Sequence, residues 1–528
     1  MQHPDEPVAL AWKAMRDEGF EPALSDAAQA EVARLADLLA RGADPVSCAA
    51  AEPGIVDLRA RPWSSIDHAE TQDLDQIEMA EHLPGGGIRL RIAIADVDAL
   101  VPKGSAIDRH AAHASTSVYT GIATFPMLPP ELAHAATSLH EGQDRLAVVF
   151  DLEVDTEGGV RARGATRALV RNRTRLDYDE VAPWLDGEGP PPRAMAADAA
   201  MQAQVTLQAE AARRLQGRRR REGALQFHVP EVRAVVEHGQ VVGLRSVVQD
   251  TARSLIEALM VAANTAMAHW LERSGQPSIR RVVHAPERWP RLRELAGRLD
   301  GNLPERPDAK ALSLFLEARR AAHPAGFAEL SLAVVKLIGS GVYTVGPAGL
   351  SPERLGHFGL ALDDYTHATA PNRRYVDLVV QRLVKATLVR AAAGQLVAAA
   401  AGQTVADPGA TSTVTGHAPG DPPYDEAQLT AIAARCTERE DAARKVERRM
   451  GKVAAAHLLS GRIGEVFDAL VTGVRAKGTF ARLLEPPADV RVVVGEAGLD
   501  VGDPVRLRLV GFDVAKGFLD FARVDGPA

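Results

Sequence analysis

Apolar residues in the first 55 positions recur at helical spacing: Val32, Leu35, Leu38 and Leu39 follow Ser25 and Asp26, a suitable helix start, and the pattern stops at Gly42. A small helical unit is predicted there. From Ile55 to about Arg390 two periods mix. Runs such as Ile88–Ala95 and Leu146–Val154 read as strands, while Thr206–Arg221, Asp250–Arg273 and Ala370–Arg390 carry long helical patterns. That mixture predicts one large α+β domain. Residues 391–423 are almost uncharged and rich in Ala, Gly, Pro and Thr, the composition of a mobile insertion. A charged helical pattern returns from Tyr424 to Leu459. Beyond Ile463, five short β-type runs separated by glycine turns predict a small OB-fold barrel.

Composition narrows the class. With 528 residues, 46% hydrophobic and 25% charged, the chain is multidomain in length and globular in make-up, which excludes a fibrous or wholly disordered protein. Its longest apolar stretch, Leu255 to Leu271, is interrupted by Glu257 and His269, so no membrane span is expected. The N-terminus lacks the pattern of a secretory signal, and a cytoplasmic location is expected. Cys48 and Cys436 are too few for a disulfide framework or a cysteine zinc site. The net charge of −8 gives no global attraction to a polyanion, so such a partner must be met by local basic patches or through metal ions. The run Arg213, Arg214, Arg218, Arg219, Arg220 and Arg221 is one candidate patch, a solvated helix face being the equal alternative.

Three segments carry candidate chemistry. In SSIDHAETQDLDQIEMAE, Asp67, Asp73 and Asp75 fall close together between strand-like stretches. Such acids either stay solvated in a turn or are neutralised by a hard divalent cation shared with substrate phosphates. In THATAPNRRYVD, Thr369 and Pro371 open a helix with Arg373 and Arg374 in or beside its first turn. Free N–H groups, helix dipole and guanidinium would make an anion site there, against the alternative of two surface arginines. Glu447 in REDAARKVERRMGKV reads by itself as an exposed helical acid.

Together these segments resemble the RNase II (RNB) family of exoribonucleases. The catalytic signature of that family, an Asp followed six residues later by Asp-x-Asp-Asp, is matched by Asp67, Asp73 and Asp75. IAIADVDALVPKGSAID, STSVYTGIATFPMLPPEL, TSLHEGQDRLAVVFDLEV, RLDYDEVAPWL, SLIEALMVAAN and CTEREDAARKVERRM follow in family order. Residues 1–55 are expected from their own pattern to form a small helical domain, for which a winged helix is one form. The resemblance implies an RNB catalytic domain over 56–459 interrupted by 391–423, and an OB fold of the S-one type over 460–528. The activity it implies is processive hydrolysis of RNA from its 3′ end to nucleoside 5′-monophosphates with Mg²⁺, Mn²⁺ able to substitute. Carried over by position, Asp67, Asp73, Asp75 and Gln76 would serve the metals and Arg373 the scissile phosphate, with Arg374 beside it. Tyr119 and Phe227 would clamp bases, an ordinary core aromatic being the competing reading for each. Tyr178, Glu257 and Glu447 would address the terminal nucleotide.

Three departures bear on function. The second of the two adjacent family aspartates is Gln76, which can offer a carbonyl oxygen but not a charge. A catalytically weakened RNA-binding protein is therefore the rival reading. The usual Ile before the arginine pair is Asn372. The front of the chain is too short for the two OB-type domains common in the family, which suggests a more open entrance and tolerance of RNA with a 3′ overhang and duplex. The chain is expected to act as a monomer.

Overall fold

The computed structural model describes residues 6–41, 54–228, 231–237, 240–247, 249–346, 356–400, 422–475 and 478–524. Two helices come first, α1 (Glu6–Asp17) and α2 (Asp26–Ala40). Ser25 caps α2 by accepting from the Ala28 amide, as its residue type predicts. No strand precedes Val56 among the described residues, so nothing there forms the wing of a winged helix. The periodicity in the sequence missed α1, whose Ala11, Ala14 and Met15 pack with Val446 and Met450 far along the chain.

The body is a seven-stranded sheet in the order β1-β8-β7-β4-β3-β2-β9. Its strands are β1 (Val56–Asp57), β2 (Ser64–Asp67), β3 (Gln76–His82), β4 (Ile88–Ala95), β7 (Asp144–Val154), β8 (Val160–Arg171) and β9 (Thr174–Asp177), with a small hairpin β5 (Val118–Tyr119) and β6 (Thr124–Phe125) between. A helix α3 (Ala106–Ala114) follows β4. Most neighbours run antiparallel; β2 and β9 run parallel, so that Asp67 lies beside Asp177. Then follow α4 (Tyr178–Leu185), α5 (Ala199–Glu222), the hairpin β10 (Glu231–Glu237) and β11 (Gln240–Val247), and α6 (Thr251–Arg273), whose N-cap is Asp250. Strands β3, β4 and β7 are buried almost throughout because α5 and α6 cover the sheet.

Helices α7 (Trp289–Arg298), α8 (Ala309–Ala322) and α9 (Phe327–Ile338) form a separate apolar cluster, and β12 (Ser278–Val282) pairs with β13 (Val342–Gly346). Helix α10 runs Tyr375–Ala400, starting later and ending further on than its predicted span. The proposed insertion thus begins inside a helix, and residues 401–421 of it lie outside the described residues. Helix α11 (Glu426–Leu459) carries a capping box at Asp425 and Gln428 and leads into a closed barrel of β14 (Val466–Arg475), β15 (Gly478–Leu483), β16 (Ala488–Val494), β17 (Pro504–Asp513) and β18 (Phe518–Arg523). The five predicted runs are these five strands. Among the described residues, no helix is long and apolar enough to cross a membrane.

Candidate active site

The acid loop, residues 68–75, joins β2 to β3. Alternation within Asp73-Leu74-Asp75 decides its geometry: Leu74 is fully buried, its amide donating to Ser138 Oγ at 2.9 Å and its carbonyl accepting from Leu139 N at 3.0 Å. Arg175 on β9 fastens the other limb, one guanidinium nitrogen donating to the carbonyls of His68 (3.1 Å), Ala69 (2.8 Å) and Thr71 (2.7 Å). The loop is a held structure, which argues against a solvated turn.

Within it Asp75 is 2% exposed. Its Oδ1 accepts from the Asn372 backbone N–H at 2.9 Å, and its Oδ2 is buried without a hydrogen-bond partner, 3.7 Å from Arg373 Nε. Burial pushes the Asp75 carboxyl up to about 8 against the pull of Arg373, with Asp73 adding to the rise. Asp67 Oδ2 is likewise buried and unpartnered. Burial pushes Asp67 up to about 7 against Arg175, Asp73 again adding, while the Gln76 side chain within hydrogen-bonding reach favours the charged form. Asp73 accepts from the Tyr119 hydroxyl at 3.1 Å.

Glu78, which sequence reasoning passed over, is 0% exposed and neither carboxylate oxygen has a partner. Burial drives its carboxyl well above the ordinary range, with Asp67 adding to the effect. An alternating strand leaves room for a polar residue at that position, so only its burial under α5 marks it out.

The segment before α10 corrects one expectation. Arg373 and Arg374 precede the helix in a tight turn, and the local N–H groups are not free for a phosphate. Asn372 N serves Asp75, while Thr369 N and Ala370 N both donate to Asp377 Oδ1 at 2.8 Å. The two arginines diverge: Arg373 is 45% exposed at the site, whereas Arg374 pairs with buried Asp377 at 2.7 Å and is withdrawn from any RNA phosphate. Asn372 is fixed by Thr137, whose Oγ1 donates to its Oδ1 at 2.6 Å. A polar side chain there anchors the turn that presents Arg373.

Around this centre Tyr119 is exposed at the tip of β5, its amide donating to Glu447 Oε1 at 3.2 Å. Glu447 is thus a half-buried partner of the hairpin, not the free helical acid its own segment suggests. Tyr178, the first residue of α4, sits beside Asp67 through the register of β2 with β9, its ring edge-on to His68 at 5.1 Å and under the Arg253 guanidinium at 4.9 Å. Phe227 is instead half-buried against the α7–α9 cluster, and exposed Glu257 accepts from Gln249 at 2.9 Å. Among the described residues no hydrogen bond, ion pair or ring contact joins either of them to the acid loop. In the arginine run on α5, Arg214 binds Glu210 and the Gly86 carbonyl, Arg218 binds Glu222 and Arg221 binds the Glu157 carbonyl, so much of that patch is locally neutralised.

Among the described residues no three His, Cys, Asp or Glu side chains converge as a ready metal cage. The orphaned oxygens of Asp67 and Asp75 nevertheless fit a hard cation, because Mg²⁺ commonly takes one or two carboxylates and completes its shell with water and substrate phosphate. A buried carboxylate pair with no cation at its free oxygens is otherwise costly.

An antiparallel-rich sheet carrying an acid loop, joined by one long helix to an OB-type barrel, defines a two-part class of protein. Residues 55–390 match the RNB domain and residues 465–524 the RNase II-type exonuclease C-terminal S1 domain, and the chain belongs to the RNB family. It is 28% identical over 505 residues to Ribonuclease R of Thermotoga maritima, covering 89% of this chain and 65% of the relative. To Ribonuclease R of Escherichia coli it is 27% identical over 468 residues, covering 87% of this chain and 54% of the relative. The chain therefore spans between about half and two thirds of the length of these relatives. Mycoplasma genitalium RNase R, solved in complex with double-stranded RNA, has the same fold, with a TM-score of 0.77 at 22% identity over 98% of this chain and 84% of that one.

Proposed function

We propose that the protein is a metal-dependent 3′→5′ exoribonuclease that hydrolyses RNA processively to nucleoside 5′-monophosphates in the cytoplasm. The observation that carries this reading is the pair of buried, unpartnered carboxylate oxygens on Asp67 and Asp75 beside the half-exposed guanidinium of Arg373. The names of the curated relatives and the RNA bound in the Mycoplasma structure support it.

Each residue has a task in this reading. Asp67 and Asp75, with Asp73 and Gln76 beside them, would hold Mg²⁺ or Mn²⁺. When bound, the cation supplies an activated water and charge stabilisation for the leaving 3′ oxygen. Arg373 reaches the scissile phosphate from outside, its orientation kept by Asp75 and its charge opposing that which builds on the phosphoryl oxygens. Tyr119 offers an exposed ring on which the terminal base stacks, a contact worth about 1–3 kcal/mol and indifferent to sequence. Tyr178, beside Asp67, stands where a ribose 2′-hydroxyl would be read. The double-stranded RNA held by the Mycoplasma structure supports access here for RNA with a 3′ overhang beside a duplex.

The test is incubation with uniformly labelled oligo(A) in Mg²⁺, Mn²⁺ or EDTA. Mononucleotide and a short end product are expected in either metal and neither in EDTA. Binding without mononucleotide in both metals would overturn the reading, and equal loss of a DNA oligomer would overturn the choice of RNA. For a hairpin with a 3′ overhang, digestion into the stem is expected; a stop several nucleotides short of it contradicts the open entrance.

A further inference from the structure

Six acids are buried in the described structure: Asp75, Glu78, Asp96, Asp108, Asp364 and Asp377. Five have a hydrogen bond to the carboxylate. Asp96 and Asp108 meet Lys385 and Arg382 at 2.8 Å, Asp364 pairs with Arg280, Asp377 takes two backbone amides and Arg374, and Asp75 takes Asn372 N. Glu78 alone has none on either oxygen. Buried polar groups are hydrogen-bonded in the great majority of cases, so a carboxyl with two orphaned oxygens calls for a partner from outside the chain.

Its position says which. Glu78 lies two residues beyond Gln76 on β3, and side chains two apart leave the same face of a strand. β2, the strand that ends at Asp67, is the neighbour of β3 on this side, and the Asp67 charge adds to the rise that burial imposes on Glu78. On the neighbouring strand Glu78 lies opposite Ser64, whose hydroxyl accepts from Gln208 Nε2. Gln76 offers this neighbourhood a neutral oxygen. Glu78, one methylene longer than an aspartate, can bring a charge to it from one step further along the same face.

We propose that Glu78 is a carboxylate of the metal site, supplying the negative charge that Gln76 does not. This rests on the metal-dependent reading above and extends it to a residue outside the acid loop.

The experiment uses the full chain, stripped with EDTA, and follows Mn²⁺ binding by electron paramagnetic resonance without RNA. Glu78→Gln, which keeps shape and removes charge, is expected to weaken Mn²⁺ binding by about 10- to 100-fold, the range for residues that support a metal site. Adding Gln76→Asp to that variant is expected to restore it, because the charge then returns two residues earlier. Mn²⁺ binding by Glu78→Gln within about twofold of the parent would overturn the proposal and leave the metal reading intact. Absence of Mn²⁺ binding by the parent overturns the metal reading itself. Should Glu78→Gln fail to fold, Gln76→Asp alone decides. With Glu78 already in the role, its gain in affinity should stay below about threefold, and a gain of about tenfold or more would mean that the charge was missing all along.

Discussion

Two groups of buried acids lie in the same domain and have opposite fates. Around the start of α10, Asp96, Asp98 and Asp108 are met by Arg167, Arg382 and Lys385, every ion pair but one at 2.8 Å, while the Tyr375 hydroxyl donates to Asp108 and the Tyr424 hydroxyl accepts from Arg382. Around the acid loop, Asp67, Asp75 and Glu78 keep orphaned oxygens, and Arg373 stands 3.7 Å from Asp75 and half in solvent. Burial penalises both groups alike. Where the chain supplies the counter-charge the acids hold helix to sheet; where it withholds it they are left for a cation and a phosphate that arrive from outside.

The largest effect should come from the second group. Asp75→Asn is expected to lower the rate of RNA hydrolysis by about 10⁴-fold, the order seen when a single catalytic carboxylate is removed, with RNA affinity within about twofold. Single-turnover digestion and fluorescence anisotropy measure the two. Lost affinity with hydrolysis preserved would reverse the assignment of Asp75.

The first group should break differently. Arg382→Met leaves Asp98 and Asp108 without their shared guanidinium and the Val101 carbonyl without its donor. The expected cost is about 3–5 kcal/mol of folding stability, read from urea denaturation. Mn²⁺ binding by the folded fraction should be unchanged. A metal defect in this variant would mean that the two groups are one network.

The contrast was partly legible in the sequence. Asp67, Asp73 and Asp75 stood out by spacing, whereas the buried Leu74 between them did not. Strand Ile88–Ala95 and the five runs of the barrel followed from period alone. What could not be read were the partners, which come from far along the chain: Ser138 and Arg175 holding the loop, Asn372 reaching Asp75, Tyr119 resting on Glu447. Neighbouring Arg373 and Arg374 look alike in sequence, and only the turn before α10 sends one outward and the other to Asp377. Helix α1 was missed because its buried face is small and alanine-rich, a weak periodic signal. Phe227 matched by position, and the α7–α9 cluster it packs against is a neighbour that the local sequence did not announce.

A smaller effect sharpens the comparison at the loop itself. The Arg175 guanidinium donates to three loop carbonyls. Arg175→Gln should reduce hydrolysis by about tenfold, near the 1.4 kcal/mol of one such bond to a charged donor, by letting the loop shift. A positioning role predicts partial rescue by Arg175→Lys and a weaker Mn²⁺ affinity in parallel with the rate.

The smallest expected effect is in the pH dependence of stability, and there the two groups have opposite signs. Although burial alone would raise Asp98, Lys385 and Arg382 hold it below the ordinary value, so its contribution is present near neutrality and is lost on acidification. Asp67 at about 7 and Asp75 at about 8 are raised, so without metal the folded chain keeps protons that the unfolded chain has released from about pH 4 upward. Their effect is a fall in stability as pH rises toward about 8. Burial keeps His357 and His367 neutral, which adds a rising limb below about pH 6.5, so the informative window is pH 6.5–8. In EDTA the urea midpoint should decline across that window, and Mn²⁺ should remove the decline because the bound cation favours the charged carboxylates. In Asp75→Asn the decline should shrink even in EDTA. A slope identical with and without Mn²⁺, and unchanged in Asp75→Asn, would place the responsible protons elsewhere and make the acid loop no different from the paired acids under α10.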